Sequence, residues 1–178
     1  MPTPVLFLLL ILILVAAGYV GFKAFLSGLL PTMVWGAPYV PTNAALARIV
    51  IELARITPAD RVIDLGSGDG RLVIAAAEAG AKEAIGYEID PLKVTASKKE
   101  AERLHLSNAI FYAQSFWSVP LNTADVVFIY SLPPYIKRLE KKLRQELKPG
   151  ARVVMLMDEL PGWKLQAEQE GVRLYQRD

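Results

Sequence analysis

Arg61-Val62-Ile63-Asp64-Leu65-Gly66-Ser67-Gly68-Asp69-Gly70-Arg71 is the stretch on which the reading of this chain turns. Val62 to Leu65 predicts a short buried strand, Gly66, Gly68 and Gly70 a tight turn, and Leu72 to Ala79 an Ala-rich helix. Glycine has no Cβ and tolerates positive φ, so such a unit lets the backbone approach a ligand closely. A helix start also carries free N–H groups, which this arrangement is expected to aim at the ligand. Two nucleotide-cofactor chemistries compete for a turn of this kind. A dinucleotide fingerprint wants G-x-G-x-x-G; here the third glycine comes one residue early and Arg71 holds the expected place. Asp64, just ahead of the first glycine, suits a cationic amino-acid moiety better than a pyrophosphate.

The chain has 178 residues, room for one domain with a full core plus an appendage. Hydrophobic residues make up 53% of it, and the excess lies at one end: from Met1 to Ala47 the only charged side chain is Lys23. Residues 48–178 carry all the other charges and have the composition of an ordinary globular domain. A net charge of +2 is too small to imply nucleic acid as a partner. There is no cysteine, which excludes disulfides and thiolate metal sites. His105 is the only histidine and falls near a predicted helix end, so it is read as structural and no metal is expected.

Val5 to Phe22 is an uncharged run of 18 residues, dense in Leu, Ile and Val. As a helix it spans roughly 27 Å, close to a hydrocarbon core of about 30 Å. A cleaved signal peptide should begin with basic residues, and Met1-Pro2-Thr3-Pro4 has none. The expectation is an uncleaved transmembrane anchor over 1–23. Residues 24–41 form an uncharged linker broken by Pro31 and Pro38, with Trp35 and Tyr39 of the kind found at headgroup level. Such a linker holds the domain at the membrane or straps onto the domain itself. The domain proper is expected over 42–178.

Thr42 or Asn43 caps a predicted helix from Ala44 to Ile56, whose Leu46, Ile49, Val50 and Leu53 share one face. Ala84 to Glu88 is the second predicted strand, and Asp90-Pro91 opens a helix to about Leu104. Ala109–Ala113, Ala124–Tyr130 and Ala151–Met157 are the next strands. A helix over Tyr135–Leu147 is predicted to turn Ile136, Leu139, Leu143 and Leu147 inward and Lys137, Arg138, Lys141, Lys142 and Arg144 outward. Trp163–Ala167 and Val172–Gln176, joined near Glu170-Gly171, make a closing hairpin. Alternating strands and helices followed by a hairpin predict an α/β fold: a seven-stranded, mostly parallel, doubly wound Rossmann-like sheet behind an N-terminal transmembrane helix.

The form D-x-G-x-G-x-G resembles motif I of class I S-adenosylmethionine-dependent methyltransferases. That resemblance implies S-adenosylmethionine as cofactor, held by Asp64, Gly66, Ser67, Gly68 and Gly70. Glu88, at the end of the second strand, can accept two hydrogen bonds from ribose hydroxyls, with Ile89 under the adenine. Ser115 stands where this superfamily usually has an acid facing the adenine amino group, and Phe116 and Trp117 either enclose the base or belong to the core. Pro38-Tyr39-Val40-Pro41, VIDLGSGDGRLVIAAA, GYEIDP, LEKKLRQELKPGARVV and LPGW together resemble a narrower family, the lysine methyltransferases of the ATP synthase c-subunit and the adenine nucleotide translocase. This implies N-methylation of a lysine on a membrane protein. Separately, the catalytic domain is expected to face the cytoplasm, where the cofactor is made, with Lys23 after the apolar run as a thin positive-inside signal. Tyr39, Tyr130, Ser131 and Asp158 are the candidate wall of a lysine channel. Ser131-Leu132-Pro133-Pro134-Tyr135 is similar to the N-P-P-Y motif of amino-group methyltransferases, with the Asn replaced. A lipid or quinone methyltransferase, or a membrane-tethered cofactor-binding module without activity, fits the same anchor and turn.

Overall fold

The computed structural model describes residues 11–23, 43–130 and 133–178. The chain divides into two compact units, Met1–Pro38 and Tyr39–Asp178. In the first, residues 11–23 are helical (α1) and exposed along their length. Residues 5–10 of the apolar run and the linker lie outside the described residues, and no helix among those described is long and apolar enough to cross a membrane.

In the second unit the strands are β1 (Arg61–Leu65), β2 (Glu83–Glu88), β3 (Ala109–Ala113), β4 (Val126–Tyr130), β5 (Arg152–Leu156), β6 (Leu165–Gln169) and β7 (Val172–Gln176). The helices are α2 (Ala44–Ala54), α3 (Arg71–Glu78), α4 (Pro91–Arg103) and α5 (Ile136–Glu146). They form one seven-stranded sheet in the order β3-β2-β1-β4-β5-β7-β6. β1 to β5 run parallel, and β7 inserts antiparallel between β5 and β6. The strand order therefore reverses between β1 and β4, the place where open α/β sheets put their ligand crevice.

Alternation along β1 explains the two layers. Val62 faces one core cluster with residues of α2, α3 and α4, while Ile63 and Leu65 face the other with Leu139 and Leu143 of α5. β4 and β5 are buried on both faces, so they read as unbroken apolar runs. Local signals place the helices. Asn43 Oδ1 accepts from Leu46 N at 2.8 Å, and Asp90 Oδ1 accepts from Leu92 N at 2.9 Å beside Pro91.

Three details depart from the sequence reading. α2 ends at Ala54, two residues early, because Arg55 adopts a left-handed conformation and Arg152 Nη1 donates to the carbonyls of Ala54 and Arg55, both at 2.6 Å. β6 begins at Leu165 because Trp163 is drawn onto α5, where its Nε1 donates to Glu140 Oε1 at 3.3 Å. Lys142, expected outside, is buried: its Nζ donates to the Val119 carbonyl at 2.6 Å and pairs with Glu146 at 2.7 Å. The hairpin turn falls at Glu170-Gly171, both at positive φ, as a two-residue turn between right-twisted strands requires.

Candidate active site

The turn after β1 is hung on β2. The N–H groups of Gly66 and Ser67 both donate to the Tyr87 carbonyl, at 2.9 and 3.0 Å, and Gly70 N donates to the Ser67 carbonyl at 2.8 Å. Gly68 N donates to Glu88 Oε2 and Asp90 N to Glu88 Oε1, each at 2.9 Å. Four amides of the turn itself, those of Gly66, Ser67, Gly68 and Gly70, are thus taken by the protein before α3 begins at Arg71. The Tyr87 carbonyl takes two of them, the Ser67 carbonyl one and the Glu88 carboxylate one.

What the turn offers instead is negative charge. Asp64 is 4% exposed, and its pKa is pushed up to about 8 by burial first and then by the carboxylates of Glu88 and Asp69. Asp69 is paired with Arg71, whose Nε lies 2.9 Å from Asp69 Oδ2. Glu88 keeps lone pairs on both oxygens after its two backbone bonds. A buried acid without a counter-ion, beside two others, attracts a cation and repels a pyrophosphate. The donor set fits a sulfonium carrying an amino-acid ammonium.

Close packing keeps the turn in place. A Cβ on Gly70, which has φ of +80°, would lie 2.7 Å from the Phe111 ring and from Ser97 Oγ. A Cβ on Gly86, in the middle of β2, would lie 2.6 Å from Ser67 Oγ and 2.9 Å from Phe111. Ser67 is 7% exposed, and its buried Oγ has no hydrogen-bond partner among the described residues. Gly86 and Asp69 were not picked out from sequence. A lone glycine inside a strand, which marks close backbone approach, was the available signal for the first.

The structure brings the other cofactor candidates to the same edge. Ile89 follows Glu88 and is 36% exposed, an apolar surface beside the acid. Ser115 and Phe116 are half-buried after β3, where Ser115 leads into a 3-10 turn, Phe116–Ser118. Phe116 packs against Trp117 with ring centroids 4.7 Å apart, and Arg138 of α5 sits 4.0 Å over the Trp117 ring. Lys142 reaches the same segment through Val119, so α5 braces the loop that carries Ser115.

Of the channel candidates, Tyr130 ends β4 half-buried and packs against the α2–α4 side of the core. Asp158 follows β5, half-buried, and burial raises its pKa while Arg173 lowers it. Tyr39 and Ser131 lie outside the described residues. His105 closes α4 at φ of +56°, a helix-end role.

A doubly wound sheet with a glycine turn at its switch point and an acid ending β2 defines a class I methyltransferase domain. The solved RNA methyltransferase from Salinibacter ruber in complex with S-adenosyl-L-homocysteine superposes with a TM-score of 0.70 and 33% identity, over 78% of this chain and 92% of that one. The sequence matches the ANTKMT methyltransferase domain over residues 64–167, and the chain belongs to that family. The adenine nucleotide translocase lysine N-methyltransferase of Mus musculus is 38% identical over 128 residues, 71% of this chain and 56% of that protein. The protein-lysine N-methyltransferase of Saccharolobus islandicus is 37% identical over 71% of this chain and 80% of its own length. This chain thus spans little more than half of the mouse relative.

Proposed function

We propose that this protein methylates a lysine side chain of a membrane protein, using S-adenosylmethionine. The observation that carries the cofactor is the turn whose amides are spent internally while Asp64 remains a buried acid seeking a cation. Asp64 would hold the ammonium end, Glu88 the ribose hydroxyls, and Ile89, Ser115 and Phe116 the base. When bound, the cofactor supplies an electrophilic methyl group on a good leaving group. The chain's own part is then positioning and exclusion of water.

Lysine as the acceptor is supported by the family and by the two relatives named for lysine methylation. A lysine nucleophile must be neutral, and with a reference pKa near 10.4 this costs about 4–5 kcal/mol at pH 7. Tyr130, Asp158 and, outside the described residues, Tyr39 and Ser131 form the proposed channel in which the amine is desolvated. The run from Val5 to Phe22 anchors the protein in this reading, with the domain on the cytoplasmic side. The uncharged linker of about twenty residues then keeps the site within about 70 Å of the bilayer, which concentrates membrane substrates.

The test is transfer of labelled methyl from S-adenosylmethionine into a membrane fraction, followed by separation into protein and lipid and hydrolysis of the protein. Label in methylated lysine is the expected result. Label in lipid or quinone moves the substrate to small membrane molecules. Cofactor binding without any transfer makes the chain a tethered binding module.

A further inference from the structure

β5 is followed by a turn that the fold holds from four sides. Arg173 on β7 donates from Nη1 to the carbonyls of Met157 at 3.2 Å and Asp158 at 3.3 Å. Met157 N donates to the Gly171 carbonyl at 3.0 Å. Leu160 N donates to the Tyr175 hydroxyl at 3.2 Å, and Arg144 of α5 reaches the Gly162 carbonyl at 3.4 Å. Met157 itself is 58% exposed at φ of +73°, a left-handed conformation that a side chain with a Cβ adopts at a cost. Strain of this kind persists only where the surroundings impose it, and it gathers at functional turns.

Amid so many satisfied groups one is left bare. Asp158 Oδ2 is sealed from solvent and has no hydrogen-bond partner among the described residues, although the residue as a whole stays half exposed. Arg173 on β7 spends its guanidinium on two carbonyls and on Glu168 at 3.0 Å. A half-exposed carboxyl group with an unused lone pair, on a backbone turn pinned by Arg173, is an acceptor for an N–H donor. It lies two residues past Leu156, which is paired with Tyr130, on the β4–β5 side of the switch point. Two strand spacings separate β5 from β1, about 10 Å.

We propose that the Asp158 carboxylate accepts a hydrogen bond from the ε-nitrogen of the substrate lysine, and that Arg173 is a positioning residue that holds it there. This rests on the lysine reading above and names the contact that reading lacks. The amine arrives as an ammonium, which the carboxylate attracts, and gives up one proton to bulk water as it is desolvated. The neutral nitrogen keeps an N–H on the carboxylate while its lone pair forms the N–C bond and the S–C bond of the sulfonium breaks, so the same acceptor then stabilises the methylated cation. Arg173 fixes the backbone on both sides of the Asp158 Cα and so sets the point from which the side chain projects.

The probe is n-butylammonium, titrated into the full chain in detergent micelles and followed by NMR of labelled aspartate carboxyls. Asp158 should show a saturable shift that other exposed carboxylates lack. Asp158→Asn should abolish the saturable binding and raise KM for the membrane substrate about tenfold or more, with the affinity for S-adenosylhomocysteine unchanged. Arg173→Met should weaken n-butylammonium several-fold at constant S-adenosylhomocysteine affinity, and Arg173→Lys should recover part of it. Absence of a saturable shift at Asp158 in the unsubstituted protein overturns the proposal without any variant having to fold. So does an Asp158→Asn protein that methylates lysine with unchanged KM, an outcome that leaves the lysine reading standing. Saturable amine binding at Asp158 with label confined to lipid keeps the amine subsite and removes the protein substrate.

Discussion

Asp64→Asn converts the electrostatics of the turn into a countable quantity. With its pKa near 8, about 0.9 of the Asp64 side chains are protonated at pH 7 in the cofactor-free protein. An ammonium at hydrogen-bonding distance lowers a carboxylate pKa by about 1 to 3. Taking the middle of that range, about 0.1 remain protonated in the complex, so binding expels about 0.8 of a proton. The cofactor's own α-amino group, with a reference pKa of about 7.7–8.0, takes up about 0.1. The net release is about 0.7 of a proton per cofactor bound, and affinity should rise about fivefold between pH 6.5 and 7.5.

Calorimetry of S-adenosylhomocysteine binding in two buffers of different ionisation enthalpy measures this release directly. Asp64→Asn, which keeps the shape and loses the ionisation, should reduce it to the small uptake by the ligand. The same group gives a stability signature whose sign follows from linkage. Its folded pKa lies above the ordinary 3.8, so the folded state holds the proton more tightly, and stability falls as pH rises from about 4 to about 8. The slope is at most about 1.4 kcal/mol per pH unit, and Asp64→Asn should flatten it. A release indistinguishable from zero in the unsubstituted protein, or one that survives in Asp64→Asn, would refute the assignment of the cation site to Asp64.

Two further outcomes concern how the turn is supported. Gly86→Ala places a Cβ 2.6 Å from Ser67 Oγ, so it should destabilise the domain by about 1–3 kcal/mol and weaken cofactor binding; a companion Ser67→Gly should restore part of both, read by thermal denaturation and calorimetry. Lys142→Met leaves the Val119 carbonyl and Glu146 without their buried donor and should cost about 1–3 kcal/mol, and a cycle with Glu146→Gln should show a coupling above about 0.5 kcal/mol in denaturant unfolding.

The strands were legible because parallel strands buried on both faces are continuous apolar runs between turn residues, as Val126–Tyr130 and Val153–Leu156 show. Lys142 was misplaced because its charge was weighed above its position. It falls three residues after Leu139 and next to Leu143, both on the buried stripe, and a lysine can follow that stripe if carbonyls wait at its end. Trp163 was assigned to the first strand of the closing hairpin, yet its side chain is claimed by Glu140 and Arg144 of α5. The candidate cofactor residues Asp64, Glu88 and Ser115 lie at the carboxyl ends of neighbouring strands: Asp64 is one residue from the end of β1, Glu88 ends β2 and Ser115 follows β3. The hydrogen bonds among them were not readable, since Glu88 meets Gly68 across 20 residues of chain.

That last bond decides what kind of ligand the turn takes. A glycine turn with free amides at a helix start is an anion site, because the unpaired N–H groups and the helix dipole both favour negative charge. Here Tyr87 and Glu88 of β2 take the amides of Gly66, Ser67 and Gly68, and Glu88 also accepts from Asp90 N. Arg71 pairs with Asp69. The cations and donors within the protein are thus assigned to two of the three acids, and Asp64 alone keeps an unmet demand, which it satisfies with a proton until a cation arrives. Replacing that proton is where binding gains its selectivity. The amino-acid end of the ligand, rather than the nucleoside, sets the pH dependence, and a nucleotide bearing a pyrophosphate meets carboxylates where it needs amides.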